Sequence, residues 1–434
     1  MMYYCARFIG APNRRALVAV TLLFCLMLLL AQDTIARSSR LLTLAEAIQH
    51  TLAQNPRLAV YRLRDSALVG EAQSAALRPP AYLGAELENF AGTNGAEAAE
   101  LTVSLSSVIE LGGKREARIS RVEAARALLM AEEQAEALTL MGEVLRRYTD
   151  VLAAKERLAL ADDAVSLARE TLSAVDRRVD AAAAPKSERL RAQAALAEAR
   201  LSLQSESRQL QVRKRALATL WGSPDDDFYV DSAALYKLPP IAGFEELYAA
   251  AEHNPAIAKF ASKERLRAAE LRLVETQSSL DLAWSVGLRQ SRELDETTLV
   301  AGVEVPLFSD RRNAGARVAA EAERAQVALE RETALLQLNT QLFRAVSGRE
   351  QAVTTVNVLQ QSIVPALESA LAEVERAYRR GRYSYLEWIA ARDELLQARR
   401  ARIDAARAAL RFGADIEQLT AAPALPMSAP SDSK

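Results

Sequence analysis

The chain repeats itself at a distance of 199 residues, and no other feature of the sequence constrains its fold as strongly. Asn-Pro occurs at Asn55-Pro56 and again at Asn254-Pro255. The same distance separates further matching residues: Glu46 and Glu245, Ala117-Arg118 and Ala316-Arg317, Glu188 and Glu387, Leu196 and Leu395, Ala199-Arg200 and Ala398-Arg399. Solenoid units are only about 20–50 residues long. The longer period therefore predicts a tandem duplication that builds two similar halves of one body.

Each Asn-Pro pair also has a local meaning. Asn is a good helix N-cap, and Pro fits the first helical position because an N–H there would have no partner within the helix. The two pairs therefore predict helix starts at equivalent places in the two halves.

The first 36 residues have the pattern of a secretory signal. Arg14-Arg15 precede an uncharged apolar run from Ala16 to Ala31, and Thr34-Ile35-Ala36 is a small-residue cleavage candidate. A basic segment, a short apolar core and a small-residue exit are the parts of a signal peptide. We therefore expect residues 1–36 to be removed as a signal peptide, with an uncleaved anchor as the alternative.

The composition limits the possible functions. A formal net charge of −1 gives no reason to expect a nucleic-acid partner, which would favour a clearly basic face. Both cysteines, Cys5 and Cys25, lie in the predicted signal, so the processed chain is expected to have no disulfide and no thiolate chemistry. Ala, Leu, Arg and Glu dominate and only 5% of residues are aromatic, which favours long, closely packed helices.

Both halves predict the same order of elements: a helical stretch, two short strands and two long helices. The first half, 37–220, has predicted helix at 42–77, strands at about 81–90 and 97–110, and long helices at 114–180 and 186–220. The second half, 243–420, has predicted helix at 243–277, strands at about 280–290 and 297–308, and long helices at 313–380 and 384–420. A loop-rich connector is predicted at 221–242 and a disordered tail at 421–434.

The long helices are predicted to form coiled-coil-like hairpins. Their apolar residues recur at spacings of three and four among many Ala, Arg and Glu residues, and small residues allow close approach. Pro365 lies inside the second long helix and is expected to kink it. Gly112-Gly113-Lys114 lacks the spacing of a phosphate-binding loop and is instead expected to form a bend with a basic cap.

The predicted strands alternate between apolar and polar residues. Leu101, Val103 and Leu105 fall on one face, with Thr102, Ser104 and Ser106 opposite, and residues 299–307 alternate in the same way. A membrane barrel has such strands, with aromatic residues near their ends. The candidates for such an aromatic girdle are Tyr82, Phe90, Trp284 and Phe308. Four strands cannot close a barrel in lipid, so several copies would have to combine. A hairpin of a soluble sheet is the alternative.

No enzyme or metal-site signature occurs in the sequence. The two histidines, His50 and His253, lie near the Asn-Pro turns, where a surface or capping role is more common than a ligand role. The sequence has no HExxH, CxxC, GxSxG or phosphate-loop motif. We therefore predict no catalytic residues, no metal ligands and no cofactor.

The chain resembles the TolC-type outer-membrane factors of tripartite exporters, and within them the CzcC-like branch associated with heavy-metal efflux. The stretches that carry this resemblance are SSVIELGGKREARI at 106–119, VEVPLFSDRRNAGARVAAEAE at 303–323 and AYRRGRYSYLEWIAARDELLQARR at 377–400. In the first half the counterpart of the third stretch is RVDAAAAPKSERLRAQAALAEAR at 178–200. There alanine replaces the expected glycine around Ala182-Ala183, so we expect a less regular turn.

The resemblance implies a mainly α fold with a small β part. Each chain would give four strands and long helical hairpins to a TolC-like homotrimer with a 12-stranded barrel. The barrel would lie in the lipid of a Gram-negative outer membrane and the helical tunnel in the periplasm. The implied function is a passive, non-enzymatic duct that exports heavy-metal cations from the periplasm and works with a periplasmic adaptor and an inner-membrane RND-type pump.

The resemblance also implies roles for the hairpin turns. The adaptor would dock at the helix tips, which are Gly381, Arg382, Tyr383 and Ser384 with Ala183, Ala184 and Pro185. Acidic rings narrow the tunnel near the tips in this family. Glu387 matches such a position and Glu188 is its counterpart in the first half, so both are candidate constriction residues, with a solvated helix carboxylate as the alternative.

Other functions remain open at the level of the sequence. The same duct could serve drug efflux or type I protein secretion, because a wide duct does not bind its substrate tightly. A soluble periplasmic coiled-coil scaffold is a further alternative. The signal and the four alternating segments argue against that scaffold.

Overall fold

The structure is a computed structural model that describes residues 40–91, 98–223 and 227–421. The predicted signal peptide, residues 92–97 between the first two predicted strands, residues 224–226 of the connector and the tail from residue 422 onward lie outside the described residues.

The first half contains a short strand, two helices, a strand pair and a helical hairpin. Its elements are β1 (Arg40–Leu41), α1 (Leu44–Gln54), α2 (Pro56–Ala75), β2 (Tyr82–Glu88), β3 (Glu100–Glu110), α3 (Lys114–Asp180) and α4 (Lys186–Ala218). Helix α3 has 67 residues, which at about 1.5 Å per residue corresponds to about 100 Å. A 3₁₀ turn at Thr219–Trp221 ends the hairpin, and the connector holds β4 (Phe228–Tyr229) and a second 3₁₀ turn (Ser232–Tyr236).

The second half repeats this order. Its elements are α5 (Phe244–Ala251), α6 (Pro255–Gln277), β5 (Asp281–Ser291), β6 (Glu296–Glu304), α7 (Ser309–Val358), α8 (Val364–Arg379) and α9 (Tyr385–Thr420). A π-helical turn at Leu359–Ile363 joins α7 to α8 directly before Pro365. Since the proline has no N–H to donate, the wider turn absorbs the lost hydrogen bond without ending the helical run. The long helix starts at Ser309, one turn before the predicted residue 313.

The four longer strands form one antiparallel sheet in the order β2-β3-β5-β6. The two halves meet at its centre, where β3 pairs with β5 from Glu100 opposite Ser291 to Glu110 opposite Asp281. Strands β2 and β6 form the two edges. Strands β1 and β4 form a separate two-stranded parallel pair that joins the start of the described chain to the connector. The prediction of a mainly helical chain with a small β part is confirmed.

The helices bury their apolar residues in several clusters along the hairpins. The largest cluster joins α1, α3, α4 and α9 to the connector, and its fully buried members include Leu152, Leu217, Leu235 and Leu410. A second cluster lies at the far end of the hairpins, around Tyr378 and Trp388. In the part of the chain that the structure describes, no helix combines the length and the apolar character needed to cross a membrane.

Candidate functional site: the hairpin tips and the strand wall

The two hairpin tips have the same backbone hydrogen bonds, displaced by the repeat distance. In the first tip, the Ala183 N–H donates to Arg178 O at 2.7 Å and the Ala182 N–H donates to Val179 O at 3.0 Å. In the second tip the Arg382 and Gly381 N–H groups donate to Ala377 O and Tyr378 O, both at 2.9 Å. This pair of bonds is the Schellman motif, which closes a helix C-terminus. The expectation of a less regular first turn is therefore wrong.

The left-handed residue of this motif differs between the tips. Gly381 has φ 77° and Ala182 has φ 57° at the equivalent position. Glycine adopts this conformation without a Cβ penalty, whereas alanine is strained there. The first tip thus keeps the geometry of the second at an energetic cost.

Glu387 caps its own helix in the second tip. The Glu387 N–H donates to Ser384 Oγ at 3.3 Å, and the Ser384 N–H donates to the Glu387 carboxylate at 2.7 Å. This reciprocal pair is a capping box. The hydrogen bond from the Ser384 N–H lowers the pKa of Glu387, and the Ser384 hydroxyl adds to that effect. Glu387 is exposed, but its carboxylate is engaged with the helix start.

Glu188 has a different partner in the first tip, because Pro185 offers no capping side chain. Its carboxylate accepts a hydrogen bond from the Tyr378 hydroxyl at 2.8 Å, which joins α4 to α8. The Tyr378 ring is fully buried, and burial together with this hydrogen bond raises the pKa of Tyr378. The Arg178 guanidinium lies 4.4 Å from the centre of that ring and donates to Tyr378 O at 2.8 Å. Arg178, Glu188 and Tyr378 thus hold the two hairpins of one chain together at their tips.

The predicted docking residues lie together at this end of the molecule. Of the seven, Ala184 is half-buried and the others are exposed. Tyr383 is 46% exposed, and the neighbouring Leu386 is 61% exposed. The tips therefore present a turn surface with both charged and apolar groups.

The strand register separates one apolar face from one polar face across the whole sheet. The apolar face carries Leu83, Leu105 and Val286 in one row, with Ala85, Val103, Leu288 and Leu299 beside it. The polar face carries small or polar residues at the sheet centre: Gly84, Ser104, Gly287, Ser106, Ser285 and Gly302. Large apolar side chains such as Leu83 and Leu299 are more than 70% exposed. An exposed apolar face backed by a polar one is the pattern of a barrel wall in lipid.

The aromatic girdle is only partly as predicted. Trp284 is on the apolar face, opposite Ser107 and Val303. Tyr82 pairs with Ser106, so it belongs to the polar face and the girdle prediction is wrong for this residue. The alternation from Leu83 onward would have placed Tyr82 correctly.

The Asn-Pro pairs have a second role that the sequence did not reveal. Asn254 Oδ1 accepts from the Ala256 N–H at 2.7 Å, as an N-cap, while its Nδ2 donates to Gln418 O and Leu419 O at 2.8 and 2.9 Å. Asn55 likewise accepts from the Arg57 N–H and donates to Leu220 O at 2.7 Å. Each Asn thus caps one helix and binds the end of the returning hairpin helix of its own half. Both side chains are buried.

The described residues contain no group of three or more His, Cys, Asp or Glu side chains that could hold a metal ion. What they combine is a strand wall with an exposed apolar face, two long hairpins and an ordered pair of tips.

Comparison with known proteins identifies this combination. The model of the outer membrane efflux protein family matches residues 47–223. The cobalt-zinc-cadmium resistance protein CzcC of Cupriavidus metallidurans is 29% identical over 300 residues, which cover 69% of this chain and 71% of CzcC. The chain is homologous to the outer membrane efflux proteins. It is an outer membrane efflux channel protein, with its strands in the outer membrane and its helices on the periplasmic side.

Solved channels share the fold of this efflux protein. The structure of CusC has a TM-score of 0.72 and 15% identity, and the match covers 87% of this chain and 92% of CusC. The open-state structure of MtrE from Neisseria gonorrhoeae has a TM-score of 0.69 and 19% identity, covering 89% of this chain and 91% of MtrE. The family is one of transport channels.

Proposed function

We propose that this efflux protein works as a homotrimeric duct in a tripartite system that exports heavy-metal cations. The observation that supports the trimer is a difference between the two halves: equivalent helices do not have equivalent packing partners within the chain. Helix α6 packs on α7 in its own half and on α3 of the other half, whereas its counterpart α2 packs extensively on α3 alone among the described residues.

The helix surfaces that have no packing partner within the described chain carry exposed apolar side chains. They include Val60 and Leu63 on α2, Leu201 and Val212 on α4, and Val318, Leu329, Leu336 and Phe343 on α7. Helix α7 of a neighbouring chain would give α2 the second contact that α3 gives α6. In the sheet, β6 would meet β2 of the neighbour as β3 meets β5. Repeating both contacts three times closes a ring of six similar halves and leaves no strand edge in lipid.

Aligning the ends of the strands gives the register that we propose for the contact between chains. Within the chain, the last residue of β3, Glu110, lies opposite the first residue of β5, Asp281. Placing the last residue of β6, Glu304, opposite Tyr82 of a neighbour in the same way brings Ala301 to Ala85. Both alanines are on the apolar face.

An Ala85→Cys, Ala301→Cys double variant is expected to form disulfide-linked dimers and trimers under mild oxidation. No cysteine occurs in residues 37–434, so the background is clean. The measurement is non-reducing gel electrophoresis of outer membranes. Matched controls are each single variant and Ala85→Cys with Val300→Cys, whose second residue is on the opposite face. Cross-linking of the control pair but not of Ala85 with Ala301 would refute this register.

The partners follow from the same proposal. The exposed hairpin tips, which are Gly381, Arg382, Tyr383 and Ser384 with Ala183, Ala184 and Pro185, would dock a periplasmic adaptor that connects the duct to an RND-type inner-membrane pump. Glu387 and Glu188 would lie at the narrow end of the tunnel. Since Glu188 binds Tyr378 and Glu387 binds Ser384, their carboxylates would contribute to a closed tip through these contacts as well as through charge.

The proposed substrate class rests on the similarity to CzcC, a cobalt-zinc-cadmium resistance protein. Removing the efflux protein from its host is expected to lower the tolerated Co²⁺, Zn²⁺ and Cd²⁺ concentrations several-fold, and wild-type protein should restore them. The measurement is growth inhibition, with lipophilic drugs and secreted proteins assayed in the same strains. Loss of drug tolerance or of a secreted protein with unchanged metal tolerance would replace the metal proposal with drug efflux or protein secretion.

A further inference from the structure

Arg289 occupies a distinctive position in the strand wall. It lies on the polar face of β5, one row from the sheet end that is farther from the helices, opposite Thr102 of β3 and Thr298 of β6. In a closed barrel this face lines the channel. In the described strands, Arg289 is the only basic residue on this face.

The Arg289 side chain bridges two carboxylates that face each other. Glu88 and Glu100 are directly opposite in the β2–β3 pair, an arrangement that is unfavourable for like charges. Arg289 reaches Glu100 at 3.3 Å and Glu88 at 3.6 Å, and its Nε donates to Thr102 Oγ1 at 3.1 Å. The Arg289 side chain is 38% exposed, so it remains accessible to ions in the channel.

The two ends of the polar face differ in charge balance. At the helix end, this face carries Asp281, Glu110 and Glu304; Asp281 is paired with Lys114 at 2.6 Å and Glu110 with Arg118 at 2.9 Å. At the outer end, the charged strand residues of this face are Glu86, Glu88, Glu100 and Glu296 with Arg289, so four carboxylates against one guanidinium leave three negative charges in excess per chain. Nearby fixed charges of one sign concentrate counter-ions.

We propose that Arg289 sets the ion preference at the outer opening of the channel, by limiting how strongly the carboxylates around it favour cations. This inference rests on the proposed trimeric duct, in which three copies of Arg289 and its carboxylates would line one opening. A cation leaving the duct would pass this zone last. Arg289 would weaken its retention there and so favour release.

The test uses the purified full-length protein in planar bilayers under a KCl gradient. At about 10 mM salt, where the Debye length is about 30 Å, Arg289→Gln is expected to raise the K⁺/Cl⁻ permeability ratio about twofold. At about 1 M salt, where the Debye length is about 3 Å, the difference should disappear. Arg289→Lys keeps the charge and should behave like the wild type, whereas Glu88→Gln should lower the ratio.

The outcomes separate this inference from the proposed duct. If wild-type protein forms no channels, the duct proposal itself fails. If the variants form channels and Arg289→Gln has the wild-type ratio at low salt, the role of Arg289 is refuted while the duct stands. If Arg289→Lys changes the ratio as much as Arg289→Gln does, the effect comes from the geometry of the wall rather than its charge, which also overturns the proposal.

Discussion

Asn254→Asp is expected to destabilise the folded chain by about 3 kcal/mol or more. The aspartate keeps the oxygen that accepts the Ala256 N–H. It replaces the amide nitrogen that donates to Gln418 O and Leu419 O with a second oxygen, within about 3 Å of two carbonyl oxygens. The site is only 2% exposed, so water cannot relieve this contact between a charge and two acceptors.

The measurement is denaturant or thermal unfolding of the purified protein, followed by helical signal. Asn254→Ala loses the cap and the donor without adding a charge, so its expected loss is smaller, about 2 kcal/mol. Asn357→Asp is the matched control, because Asn357 is exposed on α7 and its change should stay within about 0.5 kcal/mol. A loss for Asn254→Asp no greater than for the control would show that the bonds to the returning helix contribute nothing.

The first half gives an internal comparison. Asn55 donates to one carbonyl, Leu220 O, whereas Asn254 donates to two. Asn55→Asp is therefore expected to lose less stability than Asn254→Asp under the same conditions. Equal losses of stability in the two variants would indicate that both substitutions disturb the helix cap rather than the bonds to the returning helix.

This pair of sites also shows how far sequence reasoning reaches. The helix starts at Asn55 and Asn254 could be predicted because capping depends on residues one or two positions away. The bonds from the same side chains to Leu220 and Leu419 could not, since they join residues more than 160 positions apart. The repeat distance did carry a signal here, because Leu220 and Leu419 are themselves separated by 199 residues.

Other differences between the sequence predictions and the structure have both local and long-range causes. The kink expected at Pro365 takes the form of a π-helical turn, whose geometry depends on neighbouring helices rather than on the proline alone. The carboxylate roles of Glu188 and Glu387 differ because Pro185 replaces the capping Ser384, a contrast visible in the sequence. The hydrogen bond between Glu188 and Tyr378 could not be predicted, because it depends on how the two hairpins pack against each other and not on either segment alone.

Replacing Gly287 or Gly84 by alanine is expected to have opposite effects on stability, although both glycines lie in the same row of the sheet. Both are aligned with Ser104, Gly84 across β2–β3 and Gly287 across β3–β5. A Cβ on Gly287 would lie 2.7 Å from Val103 O and 3.0 Å from Ser104 Cα, so backbone atoms would have to move. A Cβ on Gly84 would meet only Ser104 Oγ, at 3.4 Å, an ordinary contact that the hydroxyl can adjust to.

Gly287→Ala is therefore expected to destabilise the protein by more than about 2 kcal/mol, through overpacking where the two halves meet. Gly84→Ala should be neutral or stabilising by about 0.5–1 kcal/mol, because glycine in a strand interior is entropically costly. The measurement is the amount and thermal stability of folded protein in isolated outer membranes, with both variants expressed in parallel. Since β3–β5 is the strand pair that joins the halves within the sheet, its failure should also abolish cross-linking of Ala85 to Ala301. If Gly287→Ala instead assembles and cross-links like Gly84→Ala, the sheet centre is more loosely packed than the close approach of β3 to Gly287 implies. The register proposed between β6 and β2 of the neighbouring chain, which is taken from the β3–β5 pair, would then lose its basis.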